Sequence, residues 1–407
     1  MTALTSVFSL VQIVALAIGG QPPPALFTLY TADGPLPSAP LEKIQDEWSI
    51  SLGGRKPRLV GGAEVISLRR EGKLLPPLPR KPQVVFTNGD RIAGKILEVK
   101  DDRLRVAAEF GEPMNRPREL TLPLTSLSIL WLVSIDDSRD ARDVVRRLQA
   151  GRRREDVVIL RSGDIVNGTL KTLDENAVQV SKIRSEQVKL EREQVAAIVL
   201  STELARSVRP KGVYARLTLA EGCRLCLLSA QCDGRMLDGK TIFGAALHVP
   251  VEGIAALDLY QGRAVYLSDL KPKRYEFTPY LGVSWPFATD ASVAGNPIRV
   301  AGNNYDKGVG MHSQSRLTYE LTAGYCWFEA WVGLDDQTGK AGNALIHVLV
   351  DGKAQPIGEQ GDLTLANSPR PIRVNVSGAK ELTLSVEFGR NGDVQDHVDW
   401  ADARLIK

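Results

Sequence analysis

The sequence predicts an all-β protein: small repeated antiparallel units (bent sheets or partly open barrels), followed by a C-terminal jelly-roll β-sandwich. Three observations support this class. Turn-forming residues are frequent, with 36 Gly and 23 Pro among 407 residues. Short apolar runs separated by tight-turn signals recur through the first two thirds of the chain. From about residue 267 the apolar runs lengthen, which is typical of a sandwich with functional loops at its ends.

Length and composition exclude several classes of protein. The chain is long enough for two to four domains. A hydrophobic fraction of 43% and a charged fraction of 24% are ordinary for a soluble globular protein. The 51 Lys and Arg nearly balance the 48 Asp and Glu, so net charge gives no reason to expect a nucleic-acid or membrane partner.

The N-terminus carries a short apolar run, Val7 to Ala17. The run is too short to span a bilayer but has the length of a signal-peptide core, and Ala15-Leu16-Ala17 supplies a cleavage site. The usual basic region is missing, because no Lys or Arg precedes Lys43. We expect residues 1–20 to be a signal peptide and the protein to be secreted, periplasmic or on the cell surface. A buried apolar strand is the alternative.

The first two thirds of the chain repeat one pattern. Asn88-Gly89-Asp90 opens a segment that matches the one at Ser162-Gly163-Asp164, and each lies between two apolar runs. A third copy is displaced by 59 residues at two landmarks, from Gly163 to Gly222 and from Leu190 to Val249. The predicted units have four or five strands and cover residues 25–83 (a degenerate copy), 84–135, 157–209 and 210–265.

The repeated positions hold Gly, Asp and apolar residues, which are turn and core types. We therefore expect the units to act as a spacer or as a docking platform, for example for an envelope protein. Residues 136–156 predict a charged linker helix in solvent, with Val144, Val145 and Leu148 on one side. Its arginines could bind an anion, but interleaved acidic residues cancel much of their charge.

Cys223 and Cys226 form a C-x-x-C pair without a second pair or a nearby His, which argues against a zinc site. The segment is predicted to be a strand, so no helix N-terminus activates a thiol. Buried free thiols are the favoured interpretation. A disulfide to Cys232 is the alternative.

The sandwich is predicted to cover residues 266–407. Trp327, Glu329 and Trp331 share one face of a predicted strand. Either another domain covers these two indoles, or Trp331 is part of a platform for a sugar. The predicted strands are Ile298–Val300, Leu317–Leu321, Tyr325–Val332, Ala344–Val350, Ile372–Val376, Glu381–Phe388 and Val398–Ile406.

Three segments in this region are rich in Gly, Asp, His and Trp: Gly308 to Ser313, Val332 to Asp336 and Gly392 to Asp402. Carboxylates and imidazoles hydrogen-bond to hydroxyl groups, and an indole stacks on the apolar face of a pyranose. Such residues from distant loops suit a carbohydrate site.

The stretches KGVGMHSQSRLTYEL, WFEAWVGLDD and GDVQDHVDWADARLI resemble the signature segments of NPCBM, a carbohydrate-binding module of the type attached to glycoside hydrolase family 98. The resemblance implies a galactose-binding-like jelly roll with a shallow site for a glycan, a galactose-type sugar among the candidates, and often a structural calcium ion. The positions that it carries over as carbohydrate-binding are His312, Asp335, Asp336, His397, Asp399 and Trp400.

Each of these residues also has a structural interpretation. Asp335 and Asp336 could cap a turn, and His312 could be a satisfied strand histidine. Asp399 and Trp400 could pack the terminal strand. Calcium ligands cannot be chosen from the sequence, because backbone carbonyls leave no signature.

The sequence therefore predicts an exported, non-catalytic carbohydrate-binding protein. The alternative is a structural or protein-interaction component of the cell envelope without sugar affinity. An enzyme is disfavoured, because the chain has no G-x-S-x-G elbow, H-E-x-x-H, P-loop or dinucleotide fingerprint.

Overall fold

The computed structural model describes residues 24–407 except 55–56, 110–117, 138–140, 142–143, 146, 149–150, 183–185, 204, 206–209, 281, 323 and 359–360. The signal peptide expected at residues 1–20 lies outside the described residues. Within them the predicted all-β class is confirmed, with antiparallel strands forming a repeat region and a sandwich. No helix in this part of the chain is long and apolar enough to cross a membrane.

Four units form the repeat region, which we call the platform. The first unit comprises β1 (Leu26–Thr31), β2 (Gly34–Pro35), β3 (Ala39–Ile44), a 3-10 helix (Asp46–Trp48), β4 (Ile50–Leu52), β5 (Arg58–Val60) and β6 (Val65–Arg70). The second comprises β7 (Gln83–Phe86), β8 (Arg91–Lys100), β9 (Arg103–Ala108), β10 (Arg118–Pro123), a 3-10 helix (Leu124–Ser126) and β11 (Leu127–Trp131).

The third and fourth units repeat the order of the second. The third comprises β12 (Asp156–Leu160), β13 (Ile165–Leu173), β14 (Ala177–Ser181), β15 (Gln187–Glu191), a 3-10 helix (Arg192–Gln194) and β16 (Val195–Val199). The fourth comprises β17 (Tyr214–Leu219), β18 (Arg224–Cys232), β19 (Met236–Thr241), β20 (Ala246–Pro250), a 3-10 helix (Val251–Gly253) and β21 (Ile254–Tyr260).

Local sequence explains the shared shape of the last three units. Gly89, Gly163 and Gly222 have φ of +86°, +88° and +95°, a left-handed conformation that glycine adopts without a steric cost. The second strand of each unit then carries a β-bulge, at Ile96/Glu98 in β8 and at Leu170/Thr172 in β13. A bulge bends a strand, so each half pairs with a different neighbour and the unit curls on itself.

The units associate in two pairs through their last strands. β11 pairs with β16, with Leu130 opposite Ile198, and β21 pairs with β6, with Leu257 opposite Leu68. Each pairing gives the last strand a second neighbour and removes an exposed edge. The inward side chains of all four units form one continuous hydrophobic core.

A helical segment covers the outer face of β11 and β16. Residues 141, 144, 145, 147 and 148 are helical, after a 3-10 helix at Ile135–Asp137. Ala141 and Val145 are buried against Trp131 and neighbouring apolar residues of that face. The prediction of a solvated linker helix is therefore wrong for these residues, since their apolar side closes a second small core.

The cysteines of the platform are free. Cys223, Cys226 and Cys232 are all buried, and burial raises the pKa of the Cys223 and Cys226 thiols to about 12. The interpretation as buried thiols is confirmed, and the disulfide alternative is not what the structure contains.

The sandwich follows from Ala264. Its first strands are β22 (Ala264–Tyr266), β23 (Arg274–Phe277), β24 (Ala288–Thr289), β25 (Ile298–Val300), β26 (Asn303–Tyr305), β27 (Gly308–His312) and β28 (Ser315–Glu320), with a 3-10 helix at Leu267–Asp269. The later ones are β29 (Trp327–Leu334), β30 (Ala344–Val350), β31 (Lys353–Ala354), β32 (Arg370–Asn375), β33 (Glu381–Phe388) and β34 (His397–Ile406), with a 3-10 helix at Leu365–Asn367.

Two antiparallel sheets make up the sandwich. One has the order β24-β27-β34-β29-β32, with β22 paired to the end of β34, and the other has the order β23-β28-β33-β30-β31. Alternate residues of both sheets point inward and form a core of their own, centred on side chains such as Phe328 and Trp400.

The two indoles of β29 have different surroundings. Trp327 packs against a small cluster that includes Ala32 and Ile66 of the first unit, and the guanidinium of Arg373 lies 4.6 Å from its ring. The interpretation that another domain covers the indole is therefore confirmed for Trp327. Trp331 stays 44% exposed.

Candidate functional site

Two neighbouring strands carry the predicted binding residues. β27 and β34 are antiparallel, and His312 lies directly opposite His397 at the end of the pair. The ring centroids of the two histidines are 5.4 Å apart. Motifs 85 positions apart in the sequence are thus joined at one end of the sandwich, which we call the loop end.

Trp285 completes this group, although the sequence analysis did not select it. Its ring is stacked on His312, with centroids 4.9 Å apart and planes 4° apart, and it lies 5.2 Å from the ring of His397. The Tyr275 hydroxyl donates a 2.5 Å hydrogen bond to the Trp285 carbonyl, which fixes the loop. We call Trp285, His312 and His397 the aromatic cluster.

The imidazoles of the cluster are held neutral. Burial lowers the pKa of His312, and burial together with the nearby His312 lowers the pKa of His397. The Nδ1 atom of His312 lies 2.7 Å from the Ser313 carbonyl, which can only accept, so Nδ1 carries the proton and Nε2 is an acceptor. His397 is half-buried, and its Nδ1 has no hydrogen-bond partner.

The rim of the loop end is apolar and exposed. Tyr280 is 59% exposed and lies edge-on to Phe388, with centroids 5.4 Å apart, and Val394 is 48% exposed. Gly392 lies beside the Tyr280 ring, so an added Cβ would lie 3.7 Å from it. The indole of Trp285, the imidazole of His397 and this rim form a surface suited to a small ligand with both apolar and hydroxyl groups, whereas His312 is only 3% exposed.

Asp396 ties the loops of this end together. It is buried, and it accepts hydrogen bonds from the Ser313 hydroxyl at 2.7 Å and from the Asn343 backbone N–H at 2.9 Å. Burial raises its pKa to about 6, and the two hydrogen bonds oppose the shift. This carboxyl supports the loop that presents His397.

Trp400 does not face a ligand. Its side chain is 0% exposed and belongs to the core of the sandwich. The prediction that it stacks on a sugar ring is wrong, because it points inward on the same side of β34 as Val398. The alternative, packing of the terminal strand, describes this residue.

Asp335 and Asp336 cap turns. Both carboxylate oxygens of Asp336 accept backbone N–H groups, from Ala301 at 2.8 Å and Gly302 at 2.6 Å. Asp335 is 0% exposed, and its Oδ1 accepts the N–H of Gln337 at 2.8 Å. Direct sugar contact is contradicted for Asp335 by burial, while Asp336 is occupied in holding the β25–β26 turn.

Asp399 is buried without a partner. It is 0% exposed, and neither carboxylate oxygen has a hydrogen bond. The Asp335 Oδ2 atom and the Ser292 hydroxyl are also buried and unpartnered. Burial raises the pKa of Asp399 well above its ordinary value, and the charges of Asp335 and Asp336 add to the shift. Such a carboxyl is expensive unless it is protonated or bound to a cation.

The surroundings of Asp399 fit a cation better than a sugar. Its strand neighbours are Gly310 and Gly333, and a Cβ on Gly310 would lie 2.4 Å from the backbone N of Val293, so a loop closes over this position. Among the residues that the structure describes, no three His, Cys, Asp or Glu side chains form a metal cluster. A cation here would therefore need Asp399, Asp335 and backbone carbonyls, ligands that Ca²⁺ accepts.

Part of the chain is similar to known proteins. A relative in Renibacterium salmoninarum, named as an endo-alpha-N-acetylgalactosaminidase, is 30% identical over 115 residues, which are 28% of this chain and 7% of that protein. The chain therefore spans only a small part of this relative.

Two solved structures from Clostridium perfringens are also similar. CBM51 from GH95, in complex with methyl-galactose, is 29% identical over 35% of this chain and 99% of that one, with a TM-score of 0.31. CBM51-2 with the INT domains of ZmpB, in complex with GlcNAc, is 25% identical over 50% of this chain and 45% of that one, also with a TM-score of 0.31. Residues 263–406 match the family model described as the NPCBM/NEW2 domain, and this part of the chain is therefore an NPCBM domain.

Proposed function

We propose that the NPCBM domain binds a galactose-type sugar at its loop end and that the protein is a non-catalytic glycan-binding protein. One observation carries this proposal. A tryptophan and two neutral histidines meet at the loop end of a domain whose family binds carbohydrate. Trp285, His312 and His397 replace the larger set that the resemblance implied.

Trp285 would supply the stacking surface. His312 is stacked on one face of the Trp285 indole. Trp285 is only half-buried, so part of its ring remains open to a ligand. Galactose has an apolar face of C–H groups, because its axial O4 points to the opposite side. That face would rest on the indole, while hydroxyl groups turn towards the imidazoles.

The histidines would supply hydrogen bonds. The half-buried His397 is the more accessible imidazole, and the Nε2 acceptor of His312 suits a hydroxyl group that reaches it through the 3% of this residue that is exposed. A shallow site of this kind typically has a Kd of about 10⁻³ to 10⁻⁵ M, or about −4 to −7 kcal/mol. Useful avidity would then come from several sites acting together.

A calcium ion would complete the domain. We propose that Asp399 and Asp335 hold it together with backbone carbonyls, which accounts for the buried carboxylate oxygens without partners. The ion would neutralise the two carboxylates and fix the loop that covers Gly310. The site would support the fold and would not contact the sugar.

The non-catalytic part of the proposal rests on the acidic residues. Asp335 and Asp399 are buried, and Asp396 accepts hydrogen bonds from Ser313 and Asn343. Glycoside hydrolysis needs two carboxyl groups facing each other across the sugar. We expect no release of sugar when the full-length protein is incubated with aryl galactosides, and measurable release would refute this part.

Export is part of the same proposal. Its support is the apolar N-terminal run with the Ala15-Leu16-Ala17 cleavage signal. Mass spectrometry of the protein from an expressing bacterium should identify an N-terminus shortly after Ala17 in an extracytoplasmic fraction. An intact N-terminus in the cytoplasm would contradict export.

The binding test uses the full-length protein on a glycan array, followed by calorimetric titration with the sugars that bind on the array. We expect a galactose-type sugar to bind and Trp285→Ala to weaken it at least tenfold, which is about 1.4 kcal/mol. Trp331→Ala is the matched control, because it removes another exposed indole of the same domain. Equal loss in both variants, or undiminished binding by folded Trp285→Ala, would refute the proposed site.

A further inference from the structure

The platform presents a charged face to the sandwich. On the outer side of β6, β17 and β21 lie Arg69, Arg216, Asp258 and Tyr260, which we call the mounting face. Arg69 and Asp258 form an ion pair of 2.5 Å, and the Arg216 guanidinium lies 5.3 Å from the Tyr260 ring. Buried charges of this kind need partners on the covering element.

The sandwich supplies those partners from the start of β27 and the end of β34. Asp402 lies 4.0 Å from the Arg69 guanidinium. The Lys307 ammonium lies 5.8 Å from the Tyr260 ring and is neutralised within the sandwich by Asp269 at 2.7 Å. Opposite charges and an aromatic contact thus join the two regions across a buried surface.

Arg224 is the most fully engaged residue of this contact. Its guanidinium donates to both carboxylate oxygens of Asp306, at 3.1 and 3.2 Å. Its other N–H groups donate to the carbonyls of Pro76 at 2.6 Å, Pro77 at 3.1 Å and Gly222 at 2.5 Å. All five donors of the side chain are used, and the side chain is only 3% exposed.

This arginine joins three segments of the chain. It belongs to the fourth unit, the two prolines belong to the connection between the first and second units, and Asp306 precedes β27 of the sandwich. Burial raises the pKa of Asp306, but the charge and hydrogen bonds of Arg224 outweigh it, so the carboxyl stays ionised. A bidentate pair also fixes an angle, which a single contact does not.

Further hydrogen bonds cross the same boundary. The Asn304 side chain donates to the Leu75 carbonyl at 2.9 Å, and Arg373 donates to the Ala32 carbonyl at 3.1 Å. These contacts involve two different edges of the sandwich. Rotation of the sandwich about any one contact would therefore break the others.

The contact and the aromatic cluster occupy opposite ends of the same strands. Asp306 and His312 are six positions apart across β27, and Asp402 and His397 are five positions apart on β34. At about 3.3 Å per residue, the cluster lies about 16 to 20 Å from the platform. The loop end consequently faces away from the repeats.

We infer that the platform is a rigid mount, in which Arg224 and Asp306 fix the sandwich in a single orientation with its loop end directed outward. The repeats are then neither a flexible spacer nor free to rotate against the glycan site. The outward direction of a sugar site rests on the proposed function, whereas the rigid junction does not.

The test compares the full-length protein with Arg224→Met and Asp306→Asn by calorimetry and small-angle X-ray scattering. We expect one cooperative thermal transition in the unchanged protein. Both variants should show two transitions and a larger radius of gyration, because the sandwich is released. Asp306→Asn keeps the size of the side chain, so it still tests the contact if Arg224→Met does not fold.

Arg105→Met is the matched control. Arg105 also donates to two acidic residues, Glu98 and Glu119, but its side chain is 47% exposed and it lies within one unit. It should leave transitions and scattering unchanged. Separate transitions in the unchanged protein, or a single transition and unchanged scattering in both interface variants, would overturn the inference.

Sugar affinity distinguishes the two proposals. The interface variants should keep the affinity of the unchanged protein, since the aromatic cluster is distant from the junction. If the unchanged protein binds no sugar, the proposed function fails. The scattering result still tests whether the platform holds the sandwich in a single orientation.

Discussion

The two ends of the sandwich differ in whether their buried charges have a partner of opposite charge. At the platform end, Arg224 uses all five donors, and Arg69 and Lys307 each have a carboxylate within 3 Å. The Arg216 Nε atom has no hydrogen bond, but it lies 3.7 Å from the Asp90 carboxylate. At the loop end, by contrast, Asp399 has no partner for either oxygen and His397 has none for Nδ1. Satisfied charges indicate a permanent intramolecular contact. Unsatisfied ones indicate where a group from outside the chain belongs.

The largest effect is expected at the platform end. Asp258→Ala leaves Arg69, whose side chain is 20% exposed, without its closest partner, and breaking a largely buried ion pair typically costs about 3 to 5 kcal/mol. Urea denaturation of the full-length protein measures the change in unfolding free energy. A loss below about 1 kcal/mol would mean that the contact is solvated and the contrast between the two ends is weaker than the structure indicates.

The pH dependence of stability sharpens the contrast at the loop end. Burial raises the pKa of Asp396 to about 6, above its value of about 3.9 in an unfolded chain. The folded state therefore binds this proton more tightly, so the contribution of Asp396 is greatest below about pH 4 and falls as pH rises to about 6.

Asp396→Asn replaces the titrating carboxyl group with an amide that does not titrate. Relative to this variant, the unfolding free energy of the unchanged protein should fall by up to about 3 kcal/mol between pH 4 and pH 7. The size follows from the difference between the pKa of about 6 in the folded state and about 3.9 in the unfolded chain. Denaturation curves at several pH values measure it. A difference independent of pH would contradict the assigned environment.

Removal of metal tests the unpaired carboxylates. Calcium at about 100 times its Kd should stabilise the protein by about 2.7 kcal/mol relative to a chelator, and Asp399→Asn should abolish that difference. If Asp399 is instead protonated, chelator has no effect and Asp399→Asn is nearly neutral. Calorimetry with calcium and with chelator distinguishes the two states.

The smallest effect is expected for Trp331, and the buried Trp400 is its comparison. Trp331→Ala should change unfolding free energy by less than about 1 kcal/mol, because 44% of the residue is already exposed. Trp400→Ala should cost about 3 to 5 kcal/mol, because its side chain fills the core. Comparable losses in the two variants would contradict the burial that separates them.

The sequence predicted the parts of the fold that depend on local pattern. The limits of β25, β30 and β33 agree with those expected, because alternation and turn residues mark both ends of each strand. The Gly-Asp turns were identified from residue type, and the left-handed φ of Gly89 and Gly163 gives the reason. Pairing of the units through their last strands depends on long-range register, which local pattern does not contain.

The candidate site was predicted in part. His312 and His397 were identified from two motifs, and the structure brings them together. Trp400 was assigned to the wrong surface, although its position two residues after Val398 on a strand indicated a shared inward face. Trp285 carried no signal, since it lies in an irregular loop and is defined by a neighbour distant in sequence. The role of the platform for an envelope partner stays a prediction.

A crystal structure of the full-length protein with methyl β-galactoside, at a concentration well above its Kd, tests the account most directly. We expect one pyranose ring stacked on Trp285, with a hydroxyl group within hydrogen-bonding distance of His312 or His397. A sugar bound at Trp331 or on the platform, or a loop end without sugar at saturating concentration, would contradict the assignment of the binding site.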